Sequence, residues 1–210
     1  MEPDTGKRLD TSVLAIIAGN LVTIVLAISL KWQLGAILCV YWFQSVVIGL
    51  FNFRRILLLK DFSTEGFTMN DRAVPEDDSG RRSTAFFFLV HYGFFHFGYA
   101  VFIAATAEES LRGWGGVAIL AGGISFLISH GFSFRKNVAE DLRGRPNIGT
   151  MMFMPYLRII PMHLTIIIGG SVSGSPAMLL FFLVLKTLAD VLMHVVEHRL
   201  MRKARQDADK

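Results

Sequence analysis

Cysteine is almost absent from this chain. Cys39 stands alone, so no intrachain disulfide can form and cysteine usage assigns no redox compartment. There is no Asn-x-Ser/Thr sequon, and with it goes any pointer to luminal glycosylation. Charge is scarce, 18% of 210 residues, against about 25% in a soluble domain. Neither His-Glu-x-x-His nor Gly-x-Ser-x-Gly occurs, so the zinc-peptidase helix and the serine nucleophile elbow are both missing. The serines of GSVSGSP, at 170–176, read as a turn. No tandem or inverted repeat is visible. The first apolar stretch follows Lys7 and Arg8 without a small-x-small cleavage site, and reads as a retained span.

What the chain has is apolar residues in blocks. They make up 52% of the composition, and mean hydropathy is +0.48. Short charged segments separate the blocks, the pattern of a polytopic membrane protein. The net charge of +4 does not indicate nucleic acid, because Lys and Arg flank the apolar blocks, where topology places them. Six spans are expected, near 12–30, 34–53, 84–107, 114–134, 151–170 and 177–199. Between the second and third lies 54–83, read as a solvated cytoplasmic loop, and 201–210 reads as a frayed tail. Ala15 and Gly19 form a small-xxx-small pair suited to close helix approach. Trp42 is too deep for an interface anchor and is expected to pack inside. Pro161 is expected to kink the fifth span by disturbing the carbonyl of Leu157.

Seventeen Lys and Arg residues fall on one side of this six-span scheme, and only Lys31 and Arg112 on the other. That asymmetry places both termini in the cytoplasm and the protein in the inner membrane. The expected fold is an all-α bundle of six transmembrane helices, one domain over 1–210.

All six histidines lie in predicted spans or at their ends. In the stretch LADVLMHVVEHRL, Asp190, His194 and His198 follow at four-residue spacing, one stripe of a helix drifting about 40° per step, with Glu197 beside it. Even low scales put a mid-bilayer Asp near +2.5 kcal/mol, so such groups face the protein interior and have a task. Alternating span direction puts His96, His163 and Asp190 near mid-depth. It puts His91, Arg158 and His194 in the cytoplasmic half, and His130 and His198 near the interface.

Imidazoles and a carboxylate suit Zn, Fe or Mn. The leading reading is a metal-dependent membrane enzyme acting on a lipid or small hydrophobic substrate. His163, His194 and Asp190 would be ligands with His91 or His96, and His198 would extend the stripe. Asp190, Arg158 and Glu197 form the catalytic set, Arg158 holding an anion. The alternative is a transporter or proton-coupled carrier using the same groups as a relay. Further alternatives are haem between His96 and His163, and a structural subunit held by a buried hydrogen-bond network. Two ion pairs are open to Asp190: Lys186 four residues before it, or Arg158 across helices. Either turns Asp190 from ligand into counter-ion. The methionines Met151, Met152, Met154 and Met162 read as apolar filler.

The segments YWFQSVVIGLFNFRRI, HYGFFHFGYAVF, MPYLRIIPMHLTIIIGG and KTLADVLMHVVEH resemble an uncharacterised prokaryotic family of integral membrane proteins. The resemblance runs from the second span to the sixth. It implies a six-span membrane fold and carries no activity, so it transfers no site residue. The pair His194-x₃-His198 is also distantly similar to that of ceramidase- and adiponectin-receptor-type membrane hydrolases. Span order, span number and the early Asp of those proteins do not fit.

Overall fold

The computed structural model describes residues 5–106, 114–169 and 175–208. Among the described residues the chain is all-α apart from one small hairpin. Its elements are α1 (Thr5–Ser29), α2 (Leu34–Leu58), β1 (Thr68–Met69), β2 (Arg72–Ala73), α3 (Asp78–Thr106), α4 (Trp114–Asp141), α5 (Ile148–Phe153), α6 (Tyr156–Gly169) and α7 (Pro176–Ala208). Among the described residues four helices are long and apolar enough to cross a membrane: Leu34–Leu58, Asp78–Ala105, Ile148–Ile168 and Pro176–Val196. Ile17–Ser29 is a shorter apolar helix.

The helices are inside-out relative to a water-soluble protein. Along α3 the buried positions are Ala85, Phe88, Tyr92, His96, Tyr99 and Ile103, spaced three and four apart. The outward face carries Phe86, Val90, Phe94, Phe97 and Val101, with Phe94 72% exposed. Polar atoms turn inward and phenylalanines outward, the arrangement suited to helices surrounded by lipid. On α2 the same spacing buries Leu38, Tyr41, Ser45, Gly49, Asn52 and Ile56. The two seams meet closely: a Cβ on Gly49 would sit 2.5 Å from the Tyr92 ring. The Tyr92 hydroxyl donates to the Ser45 carbonyl at 3.1 Å, and Trp42 Nε1 donates to the His96 carbonyl at 2.8 Å. Trp42 thus points inward as expected. Gly19 differs from expectation, because a Cβ there would meet nothing within 4 Å among the described residues. Close approach falls instead at Gly49, and at Gly123 against Phe43.

The segment read as a loop over 54–83 is ordered. α2 runs on through Arg54 and Arg55 to Leu58, and α3 already begins at Asp78. Arginine and leucine are good helix formers, so the backbone ladder does not stop where the apolar block does. Between them, Leu59, Phe62, Phe67 and Val74 are buried. Asn70 and Asp71 both take positive φ (51° and 59°) and turn β1 into β2, pairing Thr68 with Ala73 and Met69 with Arg72. Asn and Asp tolerate this left-handed conformation, which tight hairpins require. The acidic cluster is fully employed. Glu76 accepts from the Thr64 amide and from Arg145. Asp77 caps α3 by accepting from the Gly80 amide at 2.9 Å. Asp78 pairs with Arg81 at 2.7 Å. Ser63 and Asn147 bridge in parallel, and Asn147 caps α5 through the Thr150 amide. Arg55 forks onto both oxygens of Asp141 at 2.7 and 2.9 Å, tying the end of α2 to the end of α4.

The fifth span is interrupted, but not where expected. The chain stays helical through Pro161, and the break falls at Met154–Pro155, between α5 and α6. Pro155 has no amide hydrogen to give to the carbonyl of Met151, four residues back. Asn52 Nδ2 fills that role, donating to the Met151 carbonyl at 2.9 Å. A buried side chain on α2 thereby makes the break tolerable.

The chain forms two compact units: residues 35–156, and residues 1–34 with 157–210. The first holds nearly all of α2, then β1, β2, α3, α4 and α5. In the second, α1 packs along α7, and α6 contributes from Leu157 onward. The helix of α7 continues through Ala208, across the tail expected to fray.

Candidate functional site

In the unit containing α1, α6 and α7, one turn of α7 gathers the charge. Lys186 and Asp190 are four apart on the same helix face. Lys186 Nζ donates to Asp190 Oδ2 at 2.6 Å. From α1, Asn20 bridges the pair: its Oδ1 accepts from Lys186 at 3.0 Å, and its Nδ2 donates to Asp190 Oδ2 at 3.5 Å. From α6, Arg158 Nη1 stands 3.8 Å from Asp190 Oδ1, an ion pair beyond hydrogen-bond distance. The side chains of Arg158, Asp190 and Lys186 are 13%, 18% and 22% exposed. The formal charges of the four residues sum to +1.

Three helices bring these groups to one level. At 1.5 Å per residue, Asn20 lies about 13.5 Å before the end of α1 at Ser29. Arg158 lies about 16 Å before the end of α6 at Gly169. Lys186 and Asp190 lie about 15 and 21 Å after the start of α7 at Pro176. In helices suited to a bilayer whose core is about 30 Å thick, these positions fall away from both ends. There a lone cation or carboxylate is costly and a paired one is not. Both pairings left open for Asp190 are made together, which makes it the counter-ion of two cations.

The histidines divide between the units. His163 and His194 belong to the α1–α6–α7 unit, and both are half-buried. His91 and His96 belong to the other unit, so the expected ligand set does not fall within one of them. The side chains of Glu197 and His198 lie outside the described residues. Among the described residues no group of three or more His, Cys, Asp or Glu stands close enough to hold a metal ion.

In the unit of residues 35–156, His91 and His96 enter an aromatic cluster. His91 Nδ1 is hydrogen-bonded to the Tyr156 hydroxyl at 2.8 Å, and its ring stacks on Phe87. His96 is 5% exposed, and its ring stacks on Tyr92 with centroids 4.2 Å apart. The Tyr92 carbonyl can only accept, so His96 Nδ1 carries the proton and donates at 2.9 Å. Nε2 is then a buried lone pair with no hydrogen-bond partner among the described residues. His130 stacks between Phe126 and Phe51.

Sequence reasoning assigned no role to Asn20, although it is the one strongly polar side chain at depth in the first span. Its depth matched that of Lys186, and that match was the available signal. Tyr156 was missed because a tyrosine beside a proline carries no motif.

No curated protein and no solved structure matches this chain, so the distant likeness to membrane hydrolases gains no support. The model of DUF6498 matches residues 3–207, essentially the whole chain. The protein, with its apolar helices suited to a bilayer, therefore belongs to this family of unknown function.

Proposed function

We propose that the protein is a six-span carrier of the inner membrane with both termini in the cytoplasm, and that the Asn20–Arg158–Lys186–Asp190 cluster is its charge-exchange site. The observation that carries this reading is the sharing of one carboxylate on α7 by two cations, Lys186 on the same helix and Arg158 on α6. Carrier sites lie near the bilayer midplane, where a charged cargo must replace its hydration with protein groups. An ion pair that can trade one partner for the cargo supplies that replacement without exposing bare charge. In this reading Asp190 is a counter-ion and not a metal ligand, and Arg158 and Lys186 are the cargo-facing groups. The test is flux in sealed proteoliposomes under an imposed pH gradient and potential. Wild-type vesicles should dissipate the gradient and Asp190→Asn vesicles should not. Tight vesicles showing no movement of protons, potassium, chloride or benzoate would refute the reading.

One observation favours a second reading. The buried Nε2 lone pair of His96, its tautomer fixed by the Tyr92 carbonyl, has the form of an imidazole prepared for a metal or haem iron. Elemental analysis and a Soret scan of the purified protein, beside His96→Ala, decide it. Stoichiometric Zn, Fe or Mn lost in the variant would favour the metal-dependent enzyme, and a Soret band lost in it would favour haem.

A further inference from the structure

The outward face of α3 is apolar except at one residue. Between Phe86 and Ala105 its exposed positions are phenylalanine, valine, glycine and alanine, and His91. No other exposed side chain on that stretch carries nitrogen or oxygen. His91 stands nine residues beyond Arg82, about 13.5 Å along the helix. On a helix surrounded by lipid, a polar atom at that place has no water to bond with, and leaving it unpaired is costly.

His91 is held in one orientation. Its Nδ1 meets the Tyr156 hydroxyl at 2.8 Å. Phe87 stacks on its ring and Phe95 meets it edge-on, each with centroids 5.2 Å away. Tyr156 opens α6 directly after the break at Pro155, and its own ring meets those of Phe88 and Tyr92 edge-on. All of these residues belong to the unit of residues 35–156. Nδ1 is thus occupied, while Nε2 makes no hydrogen bond among the described residues.

A neutral imidazole carries one proton on its two nitrogens, and a phenolic hydroxyl both donates and accepts. When Tyr156 donates to Nδ1, Nε2–H is a donor and suits a carbonyl oxygen. When Nδ1–H donates to Tyr156, Nε2 is an acceptor and suits a hydroxyl. The pair therefore matches both oxidation states of one ligand, a quinone and its quinol. The exposed rings of Phe87 and Phe94 add apolar surface against which a flat head group can lie.

We propose that His91 and Tyr156 form a lipid-facing site for the head group of a membrane-dissolved quinone or quinol, with His91 Nε2 as its hydrogen-bond partner. A phospholipid fits less well, because its phosphate belongs with the charged end of α3, at Asp78, Arg81 and Arg82. A hydrocarbon chain by itself leaves Nε2 unpaired. The site lies apart from the charge cluster and does not rest on the carrier reading.

The test uses the full chain in detergent. Decylubiquinone is the probe, and decylbenzene, which has the chain and a ring but no oxygen, is the control. Decylubiquinone and decylubiquinol should each raise the unfolding temperature saturably, and decylbenzene should not. His91→Phe keeps an aromatic ring on the lipid face. It should fold as well as the wild type and weaken the apparent affinity for both probes by about tenfold. His91→Gln keeps a donor and an acceptor and should retain more affinity than His91→Phe. Nitrogen NMR with isotope-labelled histidine reads the proton: the Nε2 signal that His91→Phe removes should be of the N–H type with quinone and of the lone-pair type with quinol. An equal shift with decylbenzene, an undiminished affinity in His91→Phe, one tautomer with both probes, or no shift at all would each overturn the proposal. So would a shift that needs added phosphatidylglycerol, or a dimer that His91→Phe dissolves, because a second copy would then cover this face.

Discussion

Removing Asp190 and removing Lys186 should have very different costs, although each breaks the same 2.6 Å contact. With an effective dielectric near 20, charges at 2.6 Å attract by about 6 kcal/mol and charges at 3.8 Å by about 4 kcal/mol. Lys186→Met forfeits the first attraction but also removes the desolvation of the ammonium, itself several kcal/mol, and leaves Asp190 with Arg158 and Asn20. The net cost should be about 0–1 kcal/mol, as for replacing a half-buried ion by an apolar side chain. Asp190→Asn forfeits both attractions, removes the desolvation of one group, and takes the shared carboxylate from two cations, for a cost of about 3–5 kcal/mol. In the Lys186→Met background the same Asp190→Asn change takes the carboxylate from Arg158 alone. It should then cost about 2 kcal/mol less, a coupling within the usual range for contacting residues. The assay is equilibrium unfolding by sodium dodecyl sulfate in mixed micelles, extrapolated linearly for the four proteins of the cycle. Equal costs for the two single variants, or additivity within about 0.5 kcal/mol, would refute the account of Asp190 as a shared counter-ion.

Four further outcomes follow from the helix packing. Asn52→Leu leaves the Met151 carbonyl without the donor that Pro155 cannot supply, and should cost about 1–3 kcal/mol. That cost should shrink in a Pro155→Ala background, where the amide is restored, as the same unfolding assay reads. Gly49→Ala forces a methyl to within 2.5 Å of the Tyr92 ring and should destabilise by about 1–3 kcal/mol. Gly19→Ala meets no described neighbour and should be neutral or slightly stabilising, by up to about 1 kcal/mol. Arg55→Lys exchanges a two-pronged contact with Asp141 for a point charge, and should lower the unfolding temperature measurably while Arg54→Lys leaves it unchanged.

The all-helical character was legible because blocks of apolar residues are long, and length alone distinguishes a span. The Lys186–Asp190 pair was legible for a similar reason: its spacing lies within one helix. Contacts between helices were not. Nothing in the spacing of Asn20 or Arg158 says which neighbour each will face, so the partners of Asp190 on other helices were not legible. The choice between Pro155 and Pro161 turned on a distant residue. Either proline can interrupt a helix, but only Pro155 has Asn52 waiting for the carbonyl it frees. The segment between α2 and α3 was misread because its order comes from single side chains at fixed offsets. Examples are Asp77 three residues before Gly80 and the Asn70–Asp71 turn, and such features leave no periodic trace. The alternation of buried Tyr92, His96 and Tyr99 with outward Phe94 and Phe97 was present in the sequence. It becomes readable once lipid, and not water, is taken as the outer solvent.

The Lys186–Asp190 pair also bears on how the chain is made. Both charges ride on the apolar stretch Pro176–Val196 of α7, so that stretch can leave the translocation machinery as a dipole with no net charge. α6 has no such provision: Arg158 is synthesised thirty-two residues before the carboxylate that accompanies it. A guanidinium at mid-helix opposes partitioning by about 2.5–3.5 kcal/mol until that partner arrives. α6 and α7 should therefore enter the bilayer as a hairpin and not in succession. Nascent chains released after 170 should leave α6 accessible to water-soluble thiol reagents at an introduced cysteine, and chains released after 200 should not. Protection in both would mean that α6 enters by itself, with its charge matched by something earlier in the chain.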